Sequence, residues 1–291
     1  MAATLSAVYP HMTGLGGDSF WLIHEPGSSV RAIHGSGRTA AGVDRTQYTN
    51  QGLNEIPYRG GNAAITVAGT VSGWKNALNI SVDEWGGQLP LSSLLEDAIS
   101  YCRDGYIVTD SQAQATESKL DQLINQPGFA DVFLNNGQVP QSGTKMTQPA
   151  LAGTLEDLIK NGLDDFYTGD IAQSIASDLD NIGSPIKFQD LQSHQADFFE
   201  PVRLRIKNAE LYSTSAPTQG LATLMILGQV ARRPEDIAMT EDVDMIHWLV
   251  EATKQAFSAR NLHVRDPELM STKSQSLLAP NLLDALTSVI N

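Results

Sequence analysis

The chain contains little cysteine and little positive charge. Of its 291 residues only Cys102 is a cysteine, and 19 Lys and Arg stand against 33 Asp and Glu, for a formal net charge of −14. A single thiol excludes an intrachain disulfide and a cysteine-based metal cage. The acidic balance argues against nucleic acid or an anionic membrane surface as a partner, because both require a basic face. No run of 18 apolar residues occurs, so no membrane span is predicted.

Cys102 occupies an apolar position of a predicted helix. This favours a buried structural thiol over a nucleophile, because reactive cysteines need electropositive, partly open surroundings. The lack of disulfides is compatible with the cytoplasm, which we favour over the periplasm as the location.

The sequence also lacks the common catalytic signatures. Gly69 to Gly73 has its serine one place too late for a nucleophile elbow, and neither a zinc-protease helix nor a phosphate-binding loop is present. The Gly-rich turn Gly14–Gly17 precedes a strand instead of following one, unlike a dinucleotide fingerprint. We therefore predict no cofactor. His24 and His34 flank a predicted hairpin, and they are either two metal ligands in need of a third or ordinary polar strand positions.

Apolar residues make up 41% of the chain and charged residues 18%, which permits a packed core. Periodicity and end signals predict helices over 91–103, 109–124, 149–161, 170–182, 221–231 and 240–261. A capping box at Ser93 and Glu96 is predicted in the first of these helices. The last helix offers core candidates and favourable N-terminal charges: Met245, Trp248, Leu249, Ala252 and Ala256, with Glu241, Asp242 and Asp244.

Strands are predicted over Ser19–His24 and Val30–Ile33 and in a hairpin between Arg203 and Ser213, and Ala63–Ala68 is a short apolar, β-branched run. The second strand leads into Gly35-Ser36-Gly37 with Arg38 beside it. Glycines let backbone amides approach a small anion, and an arginine suits a carboxylate. The segment is either such a site or a plain turn. No linker divides the chain, so we predict one domain over residues 1–291, of either the α+β or the α/β class.

Several blocks resemble the γ-glutamyltransferase (γ-glutamyltranspeptidase) family, in family order over nearly the whole chain. They are Val8–Ile23, Ala68–Trp74, Asp97–Val108, Thr147–Leu155, Asp165–Ala172, Asp190–Leu191, Tyr212–Gly220 and Glu251–Pro267. Each block alone is weak, whereas the ordered set is specific.

The resemblance implies an N-terminal-nucleophile hydrolase with an αββα four-layer sandwich, of which this chain matches the large subunit. Such a proenzyme cuts itself to release a threonine whose own amine acts as the base for acyl transfer. The family's threonine lies in a Thr-Thr-His-like segment that these 291 residues do not contain. We therefore expect no catalytic residue in this chain, a front-shortened large subunit or fragment, and a small-subunit polypeptide as partner.

The substrate-binding residues predicted through the resemblance are Arg38, Ser36 and Gly37. Ser36 stands where γ-glutamyl enzymes carry a carboxylate-binding arginine, and Arg38 lies two places later. Arg38 either takes over that role or forms a structural pair. Together with Ala216–Gly220 in place of a serine-rich loop, and with Phe20-Trp21 and Tyr9–Met12, this pattern resembles the oxamate amidohydrolase branch.

The expected substrate is a small amide that carries a carboxylate, either a γ-glutamyl compound or an oxamate-like one. Two alternatives remain. One is a non-catalytic scaffold or interaction protein that kept the fold, and the other is an unrelated α/β binding protein.

Overall fold

The computed structural model describes residues 1–234 and 243–290. Its helices are α1 (Ala2–Val8), α2 (Arg45–Thr49), α3 (Thr70–Asn79), α4 (Leu91–Asp104), α5 (Asp110–Leu123), α6 (Phe129–Phe133), α7 (Pro149–Asn161), α8 (Asp165–Thr168), α9 (Asp170–Asn181), α10 (Phe188–Ser193), α11 (Gly220–Val230), α12 (Val243–His263) and α13 (Pro280–Thr287). Its strands are β1 (Ser19–Ile23), β2 (Arg31–Gly35), β3 (Tyr106–Ile107), β4 (Lys145–Met146), β5 (Asp197–Phe199), β6 (Val202–Ile206) and β7 (Ala209–Ser213). Helices dominate and the sheets are small, which confirms the α+β class.

The chain divides into two compact units. The first comprises Met1–Ser19 with Gly35–Asp197, and the second comprises Phe20–His34 with Phe198–Asn291. The single domain over residues 1–291 stays a prediction.

In the first unit, α4 packs against α1 and α7. Ala7, Cys102 and Ala152 meet in this contact with no exposed surface. Small side chains at the crossing allow the helices to approach closely. Burial raises the pKa of the Cys102 thiol to about 11, so the thiol stays protonated at neutral pH. This supports the structural interpretation of Cys102.

The helix ends of the first unit follow the sequence signals in most places. Gly105 ends α4 and Gly162 ends α7, with φ of 102° and 91°, and Pro149 opens α7. The capping box at Ser93 and Glu96 was predicted wrongly. Pro90 is the N-cap of α4, and no side chain caps it. The helix begins at Leu91, so Ser93 and Glu96 lie within it and Ser93 is not at the N-cap position.

The apolar, β-branched run Ala63–Ala68 contains no regular strand. Residues 61–63 form a 3₁₀ turn, and only an isolated antiparallel bridge joins Thr66 to Thr39. The β-branched composition is typical of extended backbone, but this segment pairs with the loop around Thr39 instead of with a strand.

Most residues of β1, β2 and β5 belong to the second unit. These strands form a sheet in the order β1-β2-β5, so the predicted neighbours β1 and β2 do pair. The predicted hairpin is confirmed as β6 and β7, which are antiparallel with Leu204 opposite Leu211. The core of the second unit lies around α11 and comprises Val202, Leu204, Leu221, Leu224, Met225, Ala256, Leu277, Leu278 and Leu283.

Helix α12 is described from Val243, so its predicted start at Thr240 and the charges Glu241 and Asp242 lie outside the described residues. Met245, Trp248, Ala252 and Ala256 are buried as predicted. Leu249 is 38% exposed, so its assignment to the core was wrong. The apolar stripe is covered on its Trp248 edge, where the Trp248 Nε1–H donates to the Gln229 carbonyl (3.3 Å), and Leu249 lies on the opposite edge.

Within residues 1–234 and 243–290, none of the helices has the length and apolar character needed to cross a membrane.

Candidate substrate-recognition site

The three residues predicted to bind substrate, Ser36, Gly37 and Arg38, lie in one loop that follows β2. We call residues 35–41 the Arg38 loop. Its backbone pairs with residues 65–67: the Val67 N–H donates to the Arg38 carbonyl (3.1 Å), and the Ala40 N–H donates to the Ile65 carbonyl (2.8 Å). This pairing fixes the backbone at the Arg38 carbonyl and at Ala40.

Glycines in the Arg38 loop allow a close backbone contact. A Cβ at Gly35 would lie 2.6 Å from the Gly69 carbonyl oxygen, and a Cβ at Gly37 would overlap the backbone of Val67. The reciprocal position is equally tight, because a Cβ at Gly69 would overlap the Gly35 carbonyl. The loop therefore tolerates no side chain at these positions without moving. A Cβ at Gly42, just beyond the loop, would meet no heavy atom within 4 Å.

Two carboxylates accept backbone amides of the Arg38 loop. Asp18 Oδ1 accepts the Gly37 N–H (3.2 Å). Asp190 uses both oxygens: Oδ1 accepts the Ala41 N–H (2.8 Å) and Oδ2 accepts the Lys187 N–H at the start of α10 (2.8 Å). The Gly37 amide, which the sequence offered to a substrate anion, thus already donates to Asp18.

Tyr167 binds residues 68–72, the segment that follows the residues paired with the Arg38 loop. Its hydroxyl donates to the Ala68 carbonyl (2.9 Å) and accepts the Ser72 N–H (2.9 Å). Burial raises the pKa of Tyr167 well above its usual range, so the phenol stays neutral and can donate. The Gly-rich turn adds to this, because the Gly17 carbonyl accepts the N–H groups of Gly69 and Thr70 (2.9 and 3.0 Å).

A buried histidine lies beside Tyr167. The His194 ring centroid is 5.2 Å from that of Tyr167, and the side chain is 9% exposed. Burial lowers the pKa of His194, and the negative charges of Asp197 and Asp18 act in the opposite sense. The imidazole is therefore neutral at pH 7.

Arg38 itself is exposed, and Ser36 is half-buried between the two glycines. Arg38 is the only Lys or Arg from Ser36 to Gly42. A guanidinium offers planar paired donors that match a carboxylate. The structure brings Ser36, Gly37 and Arg38 together on a fixed backbone, and their contact with substrate stays a prediction.

A cavity of about 720 Å³ lies in the same unit. Thr66, Val67 and Ala68 line it together with residues of α7 and α9, but the Arg38 loop does not. Its charged lining is Asp157, Asp165, Asp170 and Asp178 against Lys160. This balance disfavours a carboxylate-bearing ligand, so the cavity is a poor match to the expected substrate.

The histidines first considered as metal ligands have other surroundings. The His34 ring is buried and stacks on Phe199 with centroids 4.2 Å apart, with Phe20 at its edge (5.4 Å), whereas His24 is exposed. No group of three or more His, Cys, Asp or Glu side chains that could hold a metal ion occurs in the part of the chain that the structure describes.

A serine–histidine contact occurs elsewhere in the first unit. Ser111 Oγ lies 3.1 Å from His11 Nε2 and 2.9 Å from the Tyr9 hydroxyl. His11 Nδ1 is buried with no hydrogen-bond partner among the described residues. A nucleophilic pair needs a third group that orients the base. The cluster therefore connects the Tyr9–His11 segment to the start of α5 without a catalytic arrangement.

Asp18, Tyr167 and Asp190 lie within the blocks that resemble the family, but the sequence alone predicted no role for them. Their partners lie far away in sequence: Ala41 is 149 residues from Asp190, and Ala68 is 99 residues from Tyr167. Periodicity and local spacing do not report such contacts. The available signal was the presence of each residue in an ordered motif.

Comparison with known proteins identifies the relatives. The sequence profile of the family described as Gamma-glutamyltranspeptidase matches residues 1–291. The chain is 47% identical over 290 residues to the oxamate amidohydrolase proenzyme of Klebsiella pneumoniae, covering 100% of this chain and 54% of that protein. It is 35% identical to the glutathione hydrolase-like YwrD proenzyme of Bacillus subtilis, covering 96% and 52%. The chain thus spans about half the length of these curated relatives.

Solved structures agree on the fold. Cephalosporin acylase from Bacillus halodurans superposes with a TM-score of 0.89 at 25% identity, over 100% of this chain and 54% of that chain. A γ-glutamyltranspeptidase from Pseudomonas nitroreducens, complexed with L-DON, gives a TM-score of 0.87 at 27% identity, over 100% and 85%. These neighbours are N-terminal-nucleophile hydrolases, so the predicted fold class and the predicted resemblance, including the oxamate amidohydrolase branch, are confirmed.

Proposed function

The chain belongs to the γ-glutamyltranspeptidase family, and from that premise we propose that it is the large-subunit part of a self-processing amidohydrolase. The proposed substrate is a small amide that carries a carboxylate, and oxamate is the leading candidate. The observation that carries this proposal is the Arg38 loop, in which a single cation follows a glycine backbone fixed by pairing with residues 65–67.

Arg38 fits the chemistry of an oxamate-like substrate. In oxamate the carboxylate is bonded directly to the amide carbon, so nucleophilic attack creates an oxyanion beside an existing negative charge. A guanidinium at the carboxylate offsets that repulsion and orients the substrate. In the proposal, Arg38 holds the carboxylate, while Ser36 and Gly37 leave room beside it. No other Lys or Arg lies between Ser36 and Gly42.

The nucleophile would come from a threonine outside these 291 residues, on a small-subunit polypeptide. Its amine takes the hydroxyl proton, and Oγ attacks the amide carbon. The C–N bond then breaks, ammonia leaves, and water hydrolyses the resulting ester. The large subunit contributes binding and orientation in this scheme. The names of the relatives, which are proenzymes, support a processed precursor.

The identities support the oxamate-type branch over the glutathione-cleaving branch. The relative named oxamate amidohydrolase is 47% identical, whereas the glutathione hydrolase proenzyme of Escherichia coli is 26% identical. Ser36 at the position of the expected arginine points in the same direction, because a γ-glutamyl substrate places its α-carboxylate farther from the scissile bond than oxamate does.

Expression of the uninterrupted reading frame tests the class. Intact-mass spectrometry and N-terminal sequencing should show two polypeptides, the smaller of which begins with threonine. The processed protein should release ammonia from oxamate faster than it releases aniline from a γ-glutamyl anilide. An intact product without a freed threonine would favour the scaffold alternative and overturn the proposal, and preference for the anilide would overturn the branch.

A further inference from the structure

Two carboxylates hold the loop on which Arg38 lies, and the proposed function assigns neither of them a contact with substrate. Asp18 accepts the Gly37 amide on one side of Arg38, and Asp190 accepts the Ala41 amide on the other. We propose that Asp190, assisted by Asp18, is a positioning residue that sets the carboxylate selectivity of the Arg38 loop. This inference rests on the proposed function and adds two residues to it.

Asp190 is the stronger of the two. It is half-buried, and its two oxygens bind amides from different parts of the chain, Ala41 in the loop and Lys187 at the start of α10, both at 2.8 Å. Hydrogen bonds to a charged acceptor are shorter and stronger than neutral ones. Asp190 therefore connects the far end of the Arg38 loop to a helix.

Asp18 is exposed and makes a longer bond to Gly37 (3.2 Å). Its position is set by the Gly-rich turn before it, because the Gly17 carbonyl accepts two amides of the segment on which the loop packs. We expect its contribution to be smaller than that of Asp190.

Selectivity is the consequence of this geometry. A guanidinium discriminates a carboxylate from a neutral group only when its paired N–H donors point at the two carboxylate oxygens. A displacement of the guanidinium by about 1 Å can therefore reduce the rate by a large factor. The carboxylates of Asp18 and Asp190 are bound to backbone amides, so they fix the loop without contacting substrate themselves.

The variant Asp190→Asn tests this directly. Asparagine has one acceptor oxygen, so it can keep one of the two amide bonds, and its NH₂ faces the other N–H. In the processed full-length protein we expect KM for oxamate to rise roughly 3- to 10-fold, the size of one lost hydrogen bond. KM for oxamide, the neutral analogue, should change little.

A matched control variant and a double-mutant cycle distinguish a positioning role of Asp190 from a general effect on stability. Asp121→Asn, at an exposed position of α5, should leave both substrates unaffected. Combining Asp190→Asn with Arg38→Ala should add nothing to Arg38→Ala alone, because a residue that acts through another is not additive with it. Asp18→Ala, at an exposed site that the fold should tolerate, should give a smaller effect with the same selectivity.

Hydrogen exchange offers a second readout that does not depend on activity. Peptides covering residues 35–42 should exchange faster in Asp190→Asn, and peptides of α13 should not. Equal KM changes for oxamate and oxamide, full additivity with Arg38→Ala, or unchanged exchange in the loop would each overturn the positioning role. If Arg38→Ala itself leaves KM for oxamate unchanged, the proposed role of Arg38 fails first, independently of Asp190.

Discussion

The Arg38 loop in the first unit and the core around α11 in the second unit are stabilised by different means. The core consists of large apolar side chains, with Leu221 and Met225 fully buried. The loop is held by backbone contacts at Gly35 and Gly37 and by hydrogen bonds from its amides to the carboxylates of Asp18 and Asp190. A core of this kind tolerates changes that conserve volume, whereas a backbone contact tolerates no added atom.

The largest expected effect lies in the α11 core. Met225→Ala removes a fully buried side chain, so the free energy of unfolding should fall by about 2–5 kcal/mol. Urea denaturation measures this. Leu227→Ala on the same helix, where the side chain is 39% exposed, is the matched control and should cost much less. Equal losses for both variants would break the comparison, since the core would then not depend on buried volume.

Gly37→Ala should destabilise less and affect recognition more. The added methyl group overlaps the Val67 backbone, so the loop must shift, at a cost of about 1–3 kcal/mol. Activity of the processed enzyme toward oxamate should fall by roughly 100-fold, because the shift moves Arg38. Gly42→Ala has open space around its Cβ and should be neutral in both assays. Wild-type kinetics in Gly37→Ala would show that the close backbone contact is dispensable.

The smallest effect concerns pH. Burial lowers the pKa of His194 in the folded protein, so the unfolded chain binds the proton more readily. The stability that His194 contributes is therefore present above its ordinary pKa and is lost as the pH falls below that value. Unfolding free energies measured at pH 7.5 and 5.0 should differ less in His194→Gln than in the wild type. His24→Gln, at an exposed position, should keep the wild-type difference.

Much of the architecture could be predicted from the sequence because its signals are local. Gly105 and Gly162 end helices where the chain needs positive φ, Pro149 opens one, and the alternation between Arg203 and Ser213 predicts the hairpin. The errors at Ser93 and Leu249 have a different origin. The first depends on which residue starts α4, and the second depends on which edge of the apolar stripe of α12 other residues cover. Tertiary packing decides both.

The candidate site could be predicted only in part. Residue type and family resemblance predict Ser36, Gly37 and Arg38 as substrate-binding residues, and that role stays a prediction. The supports of the loop could not be predicted, because Asp190 binds an amide 149 residues away and Tyr167 binds a carbonyl 99 residues away. Such bonds leave no periodic trace in the sequence, and a carboxylate that accepts two amides looks the same there as a solvated one.

The charge discrimination of Arg38 tests the central claim most directly. The ratio of kcat/KM for oxamate to that for oxamide should be measured in the processed wild-type enzyme and in Arg38→Ala. If Arg38 binds the substrate carboxylate, this ratio should be well above one in the wild type and should fall by roughly 10-fold or more in the variant, the loss expected for a charge-assisted pair. An unchanged ratio in Arg38→Ala would contradict that role of Arg38.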